Sequence, residues 1–86
     1  MYKVIWKSII LDKLAAIYVA ADPAERDRMG AGVESFNARL AVDPLEVGES
    51  RSGGYRVAFP SLLEVYFHVN VAMRRVQVTD VTRYGR

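Results

Sequence analysis

The sequence predicts a two-layer α+β domain in which an αα-hairpin packs on one face of an antiparallel sheet. Residues 51–82 contain three runs of alternating apolar and polar residues separated by short turn-forming segments, which is the pattern of a β-meander. Before them come a short alternating run and two stretches with apolar residues at helical spacing. A chain of 86 residues has room for one hydrophobic core, so we expect residues 1–86 to form a single domain.

The predicted meander has strands at Tyr55–Phe59, Leu62–Val69 and Arg75–Val81. In its middle strand the side chains at positions 63, 65, 67 and 69 are apolar, whereas those between them are glutamate, tyrosine and histidine. Because side chains alternate between the two faces of a strand, one face of the sheet is apolar and the other is polar. The apolar face needs helices to cover it, and we expect the polar face to stay open.

An N-terminal strand and a first helix are expected before the meander. Tyr2–Lys7 alternates and predicts a short strand that joins the same sheet. Ser8 is a plausible N-cap for the helix that follows. The residues of this helix that are expected to face the sheet are Ile10, Leu14, Ile17 and Ala21, with Leu11 and Tyr18 beside them.

A second helix is predicted directly after Asp22, and the proline at position 44 ends it. Asp22 and Glu25 have the spacing of a capping box. Gly30 and Gly32 lower the helix propensity, and we interpret them as a place where the helix packs closely or bends. The core-facing residues of this helix are expected to be Met29, Val33, Phe36 and Leu40.

The composition is that of a soluble chain with a basic C-terminal part. From residue 51 onwards there are six arginines and two carboxylates, so this part could meet phosphate groups or an acidic partner. The absence of cysteine excludes disulfides and thiolate metal sites, and we expect no metal or other cofactor. Lys7, Asp12 and Lys13 interrupt the N-terminal apolar run, so we expect no signal peptide or membrane span there and a cytoplasmic location.

Several sequence features together resemble the RelE/ParE superfamily of toxins of type II toxin–antitoxin systems, which includes plasmid-stabilisation proteins. These features are the order of elements, the helical hairpin, the loop ending in GESR, the segment GYRVAF and the closing V-x-V-x-D-V-T-R. The resemblance covers essentially the whole chain. It implies a bacterial toxin that is neutralised by an antitoxin encoded beside it, in a family whose members often associate in pairs.

The resemblance implies two alternative mechanisms. RelE-like members are mRNA interferases, which cleave mRNA on the ribosome, whereas ParE-like members poison DNA gyrase without being enzymes. RNA cleavage without metal needs a base, an acid and cations close to one phosphate. The catalytic candidates are Arg56, His68, Arg83 and Tyr84, and the nucleic-acid-binding candidates are Arg51, Tyr66, Arg75 and Arg86. Two other places where the family has cations hold Ala58 and the pair Leu62–Leu63 instead.

Structural roles would explain several of these residues equally well. His68 could simply be a half-exposed residue on the polar face of a strand. The alternative contacts that we expect are Tyr66 with Tyr55 or Val81, Arg56 with Glu64, and Arg51 with Glu46 or Glu49.

Three hypotheses about function therefore remain, and they make different demands on the structure. An mRNA interferase requires Arg56, Tyr66, His68 and Arg83 to meet on the open sheet face. A gyrase poison does not require this convergence and would bind its target through the αα-hairpin. A degenerate family member would act through protein–protein interaction alone.

Overall fold

A computed structural model of the chain describes residues 1–85, and Arg86 lies outside the described residues. Two helices pack on one face of a five-stranded sheet, which confirms the α+β fold class. No helix in residues 1–85 is long and apolar enough to cross a membrane. The elements are β1 (Lys3–Trp6), α1 (Ser8–Ala20), α2 (Pro23–Val42), β2 (Glu49–Ser50), β3 (Tyr55–Ala58), β4 (Leu63–Asn70) and β5 (Arg75–Arg83), with short 3₁₀ turns at Pro44–Glu46 and Ser52–Gly54.

The strand order in the sheet is β1-β5-β4-β3-β2. Strands β3, β4 and β5 form the predicted antiparallel meander. Strand β1 lies beside β5 and runs parallel to it, so the sheet is mixed rather than purely antiparallel. Strand β2, which the sequence predicted as loop, has only two residues and extends the far edge by pairing with β3.

The hydrophobic core lies between the helices and the face of β4 that carries its apolar residues. Every second residue of β4 from Leu63 to Val69 is buried, as the alternation predicts. Phe67 meets Phe36 of α2 edge to face, with 5.7 Å between the ring centroids. Leu11, which was expected to widen the buried stripe of α1, is instead 48% exposed because only one side of that helix faces the sheet.

The two helix starts behave differently. At the start of α2 the backbone N–H of Glu25 donates to the Asp22 carboxylate at 2.9 Å, and the Glu25 carboxylate accepts from the Asp22 N–H at 3.2 Å. The capping box is therefore confirmed. The prediction that Ser8 caps α1 is wrong, because the helix already includes Ser8 and the N-cap is Lys7, whose carbonyl accepts from the backbone of Ile10.

Beyond Val78, a side chain rather than a further strand bonds to the outer edge of β5. Strand β1 accompanies β5 only as far as Val78, so the next residues of β5 have no strand neighbour on that side. There the Asp80 carboxylate accepts the Val81 N–H at 2.8 Å and forms an ion pair with Lys13 of α1. Unpaired backbone groups on a strand edge can pair with a strand of another chain. The Asp80 carboxylate occupies one of these groups, the Val81 N–H.

Helix α2 approaches the β3–β4 turn closely at Gly32. A Cβ atom at this position would lie 2.7 Å from the Cβ of Ser61, whereas a Cβ at Gly30 would meet nothing within 4 Å. Ser61 and Leu62 both have positive φ angles, which non-glycine residues rarely adopt. The interpretation of close packing therefore applies to Gly32 and not to Gly30.

We expect opposite effects of alanine at the two helical glycines. Gly32→Ala should lower the free energy of unfolding by about 1–3 kcal/mol, because the added methyl overpacks the contact with Ser61. Gly30→Ala should raise it by about 1 kcal/mol, because it adds helix propensity in open space. Urea unfolding followed by circular dichroism measures both.

The double variant Gly32→Ala/Ser61→Gly tests the cause. Glycine at position 61 removes the contacted Cβ and tolerates the positive φ, so it should recover the stability lost in Gly32→Ala. A Gly32→Ala variant that is as stable as Gly30→Ala would contradict the close approach.

Candidate functional site on the open sheet face

Tyr66 and His68 lie together on the sheet face that the helices do not cover. They alternate with the buried residues of β4, and both are half-buried. Across the sheet, His68 is paired with Tyr55 on one side and Gln77 on the other. Because directly paired residues of antiparallel strands share a face, this face has a row of polar and aromatic side chains.

His68 is held against the glycine-containing turn before β3. Its Nε2 atom lies 3.1 Å from the carbonyl oxygen of Gly53, and its ring meets that of Tyr55 edge to face, with 4.8 Å between the centroids. A hydrogen bond to a carbonyl requires Nε2 to carry the proton, which leaves Nδ1 as the acceptor of the neutral ring. A Cβ at Gly54 would lie 3.0 Å from Nε2, and the positive φ of Gly54 also favours glycine at this position.

Glu64 is the centre of a small hydrogen-bond network beside Tyr66. Its carboxylate accepts from the Tyr66 hydroxyl at 3.3 Å and from the Thr82 hydroxyl at 3.3 Å. Tyr66 lies directly opposite Val57 and Asp80, so the predicted cross-strand pair of Tyr66 with Tyr55 or Val81 is wrong. The network joins a carboxylate to a phenol, and the imidazole of His68 lies on the same face two residues further along β4.

Arg56 lies on the opposite face from His68. Strand β3 pairs it with Phe67, whose ring is in the core. Its guanidinium donates from Nε to the carbonyl of Val47 at 2.9 Å and from Nη2 to the carbonyl of Gly48 at 3.1 Å. The expected pairing with Glu64 is therefore wrong, and Arg56 ties the loop before β2 to the sheet.

Arg83 also lies on the helix side, where it forms an ion pair with Glu25. Strand β5 pairs Arg83 with the buried Leu63, and its Nη2 lies 2.7 Å from the Glu25 carboxylate. The hydrogen bond from Arg83, together with the Asp22 N–H, lowers the pKa of Glu25 below its ordinary value. The Nε of Arg83 is buried and has no hydrogen-bond partner within residues 1–85.

Arg75 is the candidate cation that shares the open face with His68. It pairs with Asn70 of β4, beside the β4–β5 turn. Strand β1 places Lys3 next to it, so two cations lie at this end of the face. Sequence reasoning missed Lys3, because alternation within β1 does not tell which strand will be its neighbour.

The remaining candidates lie away from this group. Arg51 is exposed and pairs with Glu49 at 3.4 Å, which confirms one of its two expected structural contacts. Tyr84 packs against Phe59 with 4.6 Å between ring centroids, beside the β3–β4 turn, at the end of the sheet opposite Arg75. Arg86 is outside the described residues.

The structure thus places Tyr66, His68 and Arg75 on one face of the sheet, and Arg56 and Arg83 on the other. The four residues that RNA cleavage was expected to require do not meet on the open face. Among residues 1–85, no cluster of three or more histidine or acidic residues could hold a metal ion.

We expect the Glu25–Arg83 pair to contribute stability that acid removes. Because the folded pKa of Glu25 is lowered, its contribution is present above the ordinary glutamate pKa and is lost as the pH falls through the folded value. Glu25→Gln should therefore melt at a lower temperature than the wild type at pH 7, and the difference should shrink towards about pH 3. Thermal unfolding followed by circular dichroism measures this.

Glu34→Gln is the matched control, since Glu34 is exposed on α2 and has no ion-pair partner within residues 1–85. The Glu34→Gln variant should have the same melting temperature as the wild type at both pH values. A Glu25→Gln variant whose deficit is the same at pH 7 and in acid would show that the ionised carboxylate is not the cause.

Sequence comparison identifies no relative of this chain: no family model matches it, and no curated protein matches it. Comparison with solved structures finds chains of similar fold. The structure is similar to a chain of the archaeal RelE–RelB complex from Pyrococcus horikoshii OT3, with a TM-score of 0.67, 16% identity, and coverage of 99% of this chain and 97% of that chain.

Two further solved structures are similar over almost the whole chain. One belongs to the chromosomal ParDE TA system from P. aeruginosa, with a TM-score of 0.71, 19% identity, and coverage of 99% and 98% of the two chains. The other is the isolated E. coli RelE toxin, with a TM-score of 0.65, 13% identity, and coverage of 100% of this chain and 87% of that chain. Since all three identities are low, the likeness concerns the fold: the chain adopts the RelE/ParE toxin fold.

Proposed function

We propose that the chain is the toxin of a toxin–antitoxin pair and that it acts by binding a protein target rather than by cleaving RNA. The fold supports the role of a toxin, because the similar structures are RelE and ParDE proteins. The observation that favours binding over cleavage is the position of Arg56 and Arg83 on the helix side of the sheet. DNA gyrase is the target that the resemblance to ParE-like toxins implies.

The argument against cleavage is electrostatic. A phosphate that is attacked by a neighbouring hydroxyl gains negative charge, and catalysis depends on cations that are already aimed at it. The guanidinium of Arg56 is occupied by two main-chain carbonyls, and that of Arg83 is neutralised by Glu25. Neither can reach a phosphate beside His68 without crossing the sheet.

RNA cleavage remains the second candidate because one observation favours it. Tyr66 and His68 share the open face with Arg75 and Lys3, so an acid–base pair and two cations lie on one surface. In such a site His68 would move a proton, Arg75 and Lys3 would hold phosphates, and Glu64 would orient the Tyr66 hydroxyl. This arrangement differs from the one that the sequence predicted.

The natural partner in this proposal is an antitoxin encoded beside the chain, and both proteins would meet in the cytoplasm. Two of the similar structures are described as a RelE–RelB complex and a ParDE system, which supports a protein partner. Pairing of the toxin with itself, which is common in the family, is not needed for this role.

The proposal predicts which synthesis stops first when the chain is expressed alone in a bacterium. Thymidine incorporation should fall before methionine incorporation, and the variant Tyr66→Phe/His68→Ala should be as toxic as the wild type. Loss of a general acid or base would instead lower RNA cleavage about 10²–10⁴-fold. Pulse labelling with thymidine, uridine and methionine after induction measures the order of events.

Gln77→Ala is the control, because Gln77 is paired with His68 on the same face and has no part in either mechanism. Methionine incorporation that fails first, with toxicity lost in Tyr66→Phe/His68→Ala and kept in Gln77→Ala, would replace the proposal with RNA cleavage. A chain that does not slow growth at all would not be a toxin.

A further inference from the structure

The β4–β5 turn exposes apolar and cationic side chains side by side. Val71 is 53% exposed and Met73 is 59% exposed. Arg74 and Arg75 follow them and are exposed as well, and β1 places the exposed Lys3 next to Arg75. These five residues form the turn surface, in which two apolar side chains lie beside three cations.

The cations of the turn surface have no carboxylate partner within residues 1–85. The ion pairs of this part of the chain use other cations, namely Lys13, Arg51 and Arg83. Uncompensated positive charges on one small surface attract a partner that carries negative groups. Two of the three cations are arginines, whose planar guanidinium groups fit carboxylates with two hydrogen bonds each.

Hydrogen bonds hold the turn in one shape. The Asn70 side chain accepts the Met73 N–H at 3.0 Å, and the Val71 carbonyl accepts the Arg74 N–H at 3.2 Å. From β1, the Lys3 N–H donates to the Arg74 carbonyl at 2.9 Å. A surface that is already ordered loses little conformational entropy when a partner binds to it.

Arg74 occupies a backbone position that suits glycine better. Its φ angle is 51°, in the left-handed region that side chains with a Cβ atom rarely adopt. Its guanidinium forms no ion pair within the described residues that would offset this strain. Strained residues of this kind concentrate at functional sites. The arginine at this place is therefore better explained by a contact outside the chain than by the stability of the fold.

We propose that the turn surface binds the protein target of this toxin, and that the target presents an acidic segment with an apolar side chain. The inference rests on the proposed function, because it names the surface through which that function acts. Carboxylates of the segment pair with Lys3, Arg74 and Arg75. The apolar side chain covers Val71 and Met73, and both methionine and arginine are enriched in protein interfaces.

A nucleic acid is a poorer occupant of this surface. Its phosphates would neutralise the cations, but the sugar–phosphate backbone has no large apolar group to cover Val71 and Met73. The turn extends beyond the sheet by residues 71–74 alone, because Lys3 of β1 is already paired with Arg75. It is therefore too short to enter a groove of duplex DNA as a β-ribbon does.

The experiment measures the binding of purified DNA gyrase, the target in the proposed function, and toxicity in a growing bacterium. Arg74→Gly should melt no lower than the wild type, because glycine relaxes the positive φ. It should nevertheless bind gyrase about tenfold more weakly, or worse, and slow growth less. Ser61→Gly is the matched control, since it also puts glycine at a positive φ, in the β3–β4 turn, and should bind as the wild type does.

Two further variants separate the charges from the apolar contact. Arg75→Glu should weaken binding about tenfold or more, whereas Arg28→Glu makes the same charge change at an exposed position on α2 and should bind as the wild type does. Met73→Ser should weaken binding by the same factor at low and high salt, because the contact that it removes is uncharged. Wild-type binding should itself weaken as the salt concentration rises.

Photo-crosslinking identifies the class of partner. A photoreactive amino acid at the exposed position 72 is placed in a mixture of purified gyrase and linear DNA. It should crosslink to a segment of gyrase that carries aspartate or glutamate residues. Crosslinks to DNA would overturn the inference and make the turn a nucleic-acid contact.

The toxicity of the variants distinguishes a failure of this inference from a failure of the proposed function. If the wild-type chain slows growth and Arg74→Gly and Arg75→Glu slow it equally, the inference is wrong and the proposed function stands. If the wild-type chain does not slow growth, both fail. If it is toxic without binding gyrase, gyrase is excluded as the target, and the inference stands only if both variants lose toxicity.

Discussion

Both layers of this molecule depend on the register of β4. Its odd-numbered residues from Leu63 to Val69 form the floor of the core, and its even-numbered residues include Tyr66 and His68 of the open face. A shift of one residue would exchange the two sets and put Phe67 into solvent. Strands β3 and β5 hold the register from both sides, and the contact between Phe67 and Phe36 fixes it against α2.

Features that depend on residues close in the sequence could be predicted from it. The capping box needs only Asp22 and Glu25, and the faces of β4 follow from strict alternation of apolar and polar residues. The candidate site was predictable to the same extent, because Tyr66 and His68 are two residues apart in one strand and must share a face. The direction of Arg75 follows less directly, since it depends on the register between β4 and β5.

Features that depend on distant pairings could not be predicted. In β3 the sequence around Arg56 has apolar residues at two successive positions, Val57 and Ala58, and both are buried, so alternation does not show which way Arg56 points. The partner of Arg83 is Glu25, which is far away in the sequence, and nothing local indicates that pairing. The parallel position of β1 beside β5 is of the same kind, and the place of Lys3 depends on it.

The pairing of the first strand with the last has a consequence for how the protein is made. Strand β1 is synthesised before the other four strands of the sheet that residues 1–85 form, but its partner there is β5, which is synthesised after them. Contacts of such high sequence separation form slowly, because bringing the two strands together closes a long loop and lowers the entropy of the chain. The five-stranded sheet is therefore assembled only after β5 has left the ribosome, and a nascent chain that has not yet reached β5 lacks the neighbour of β1.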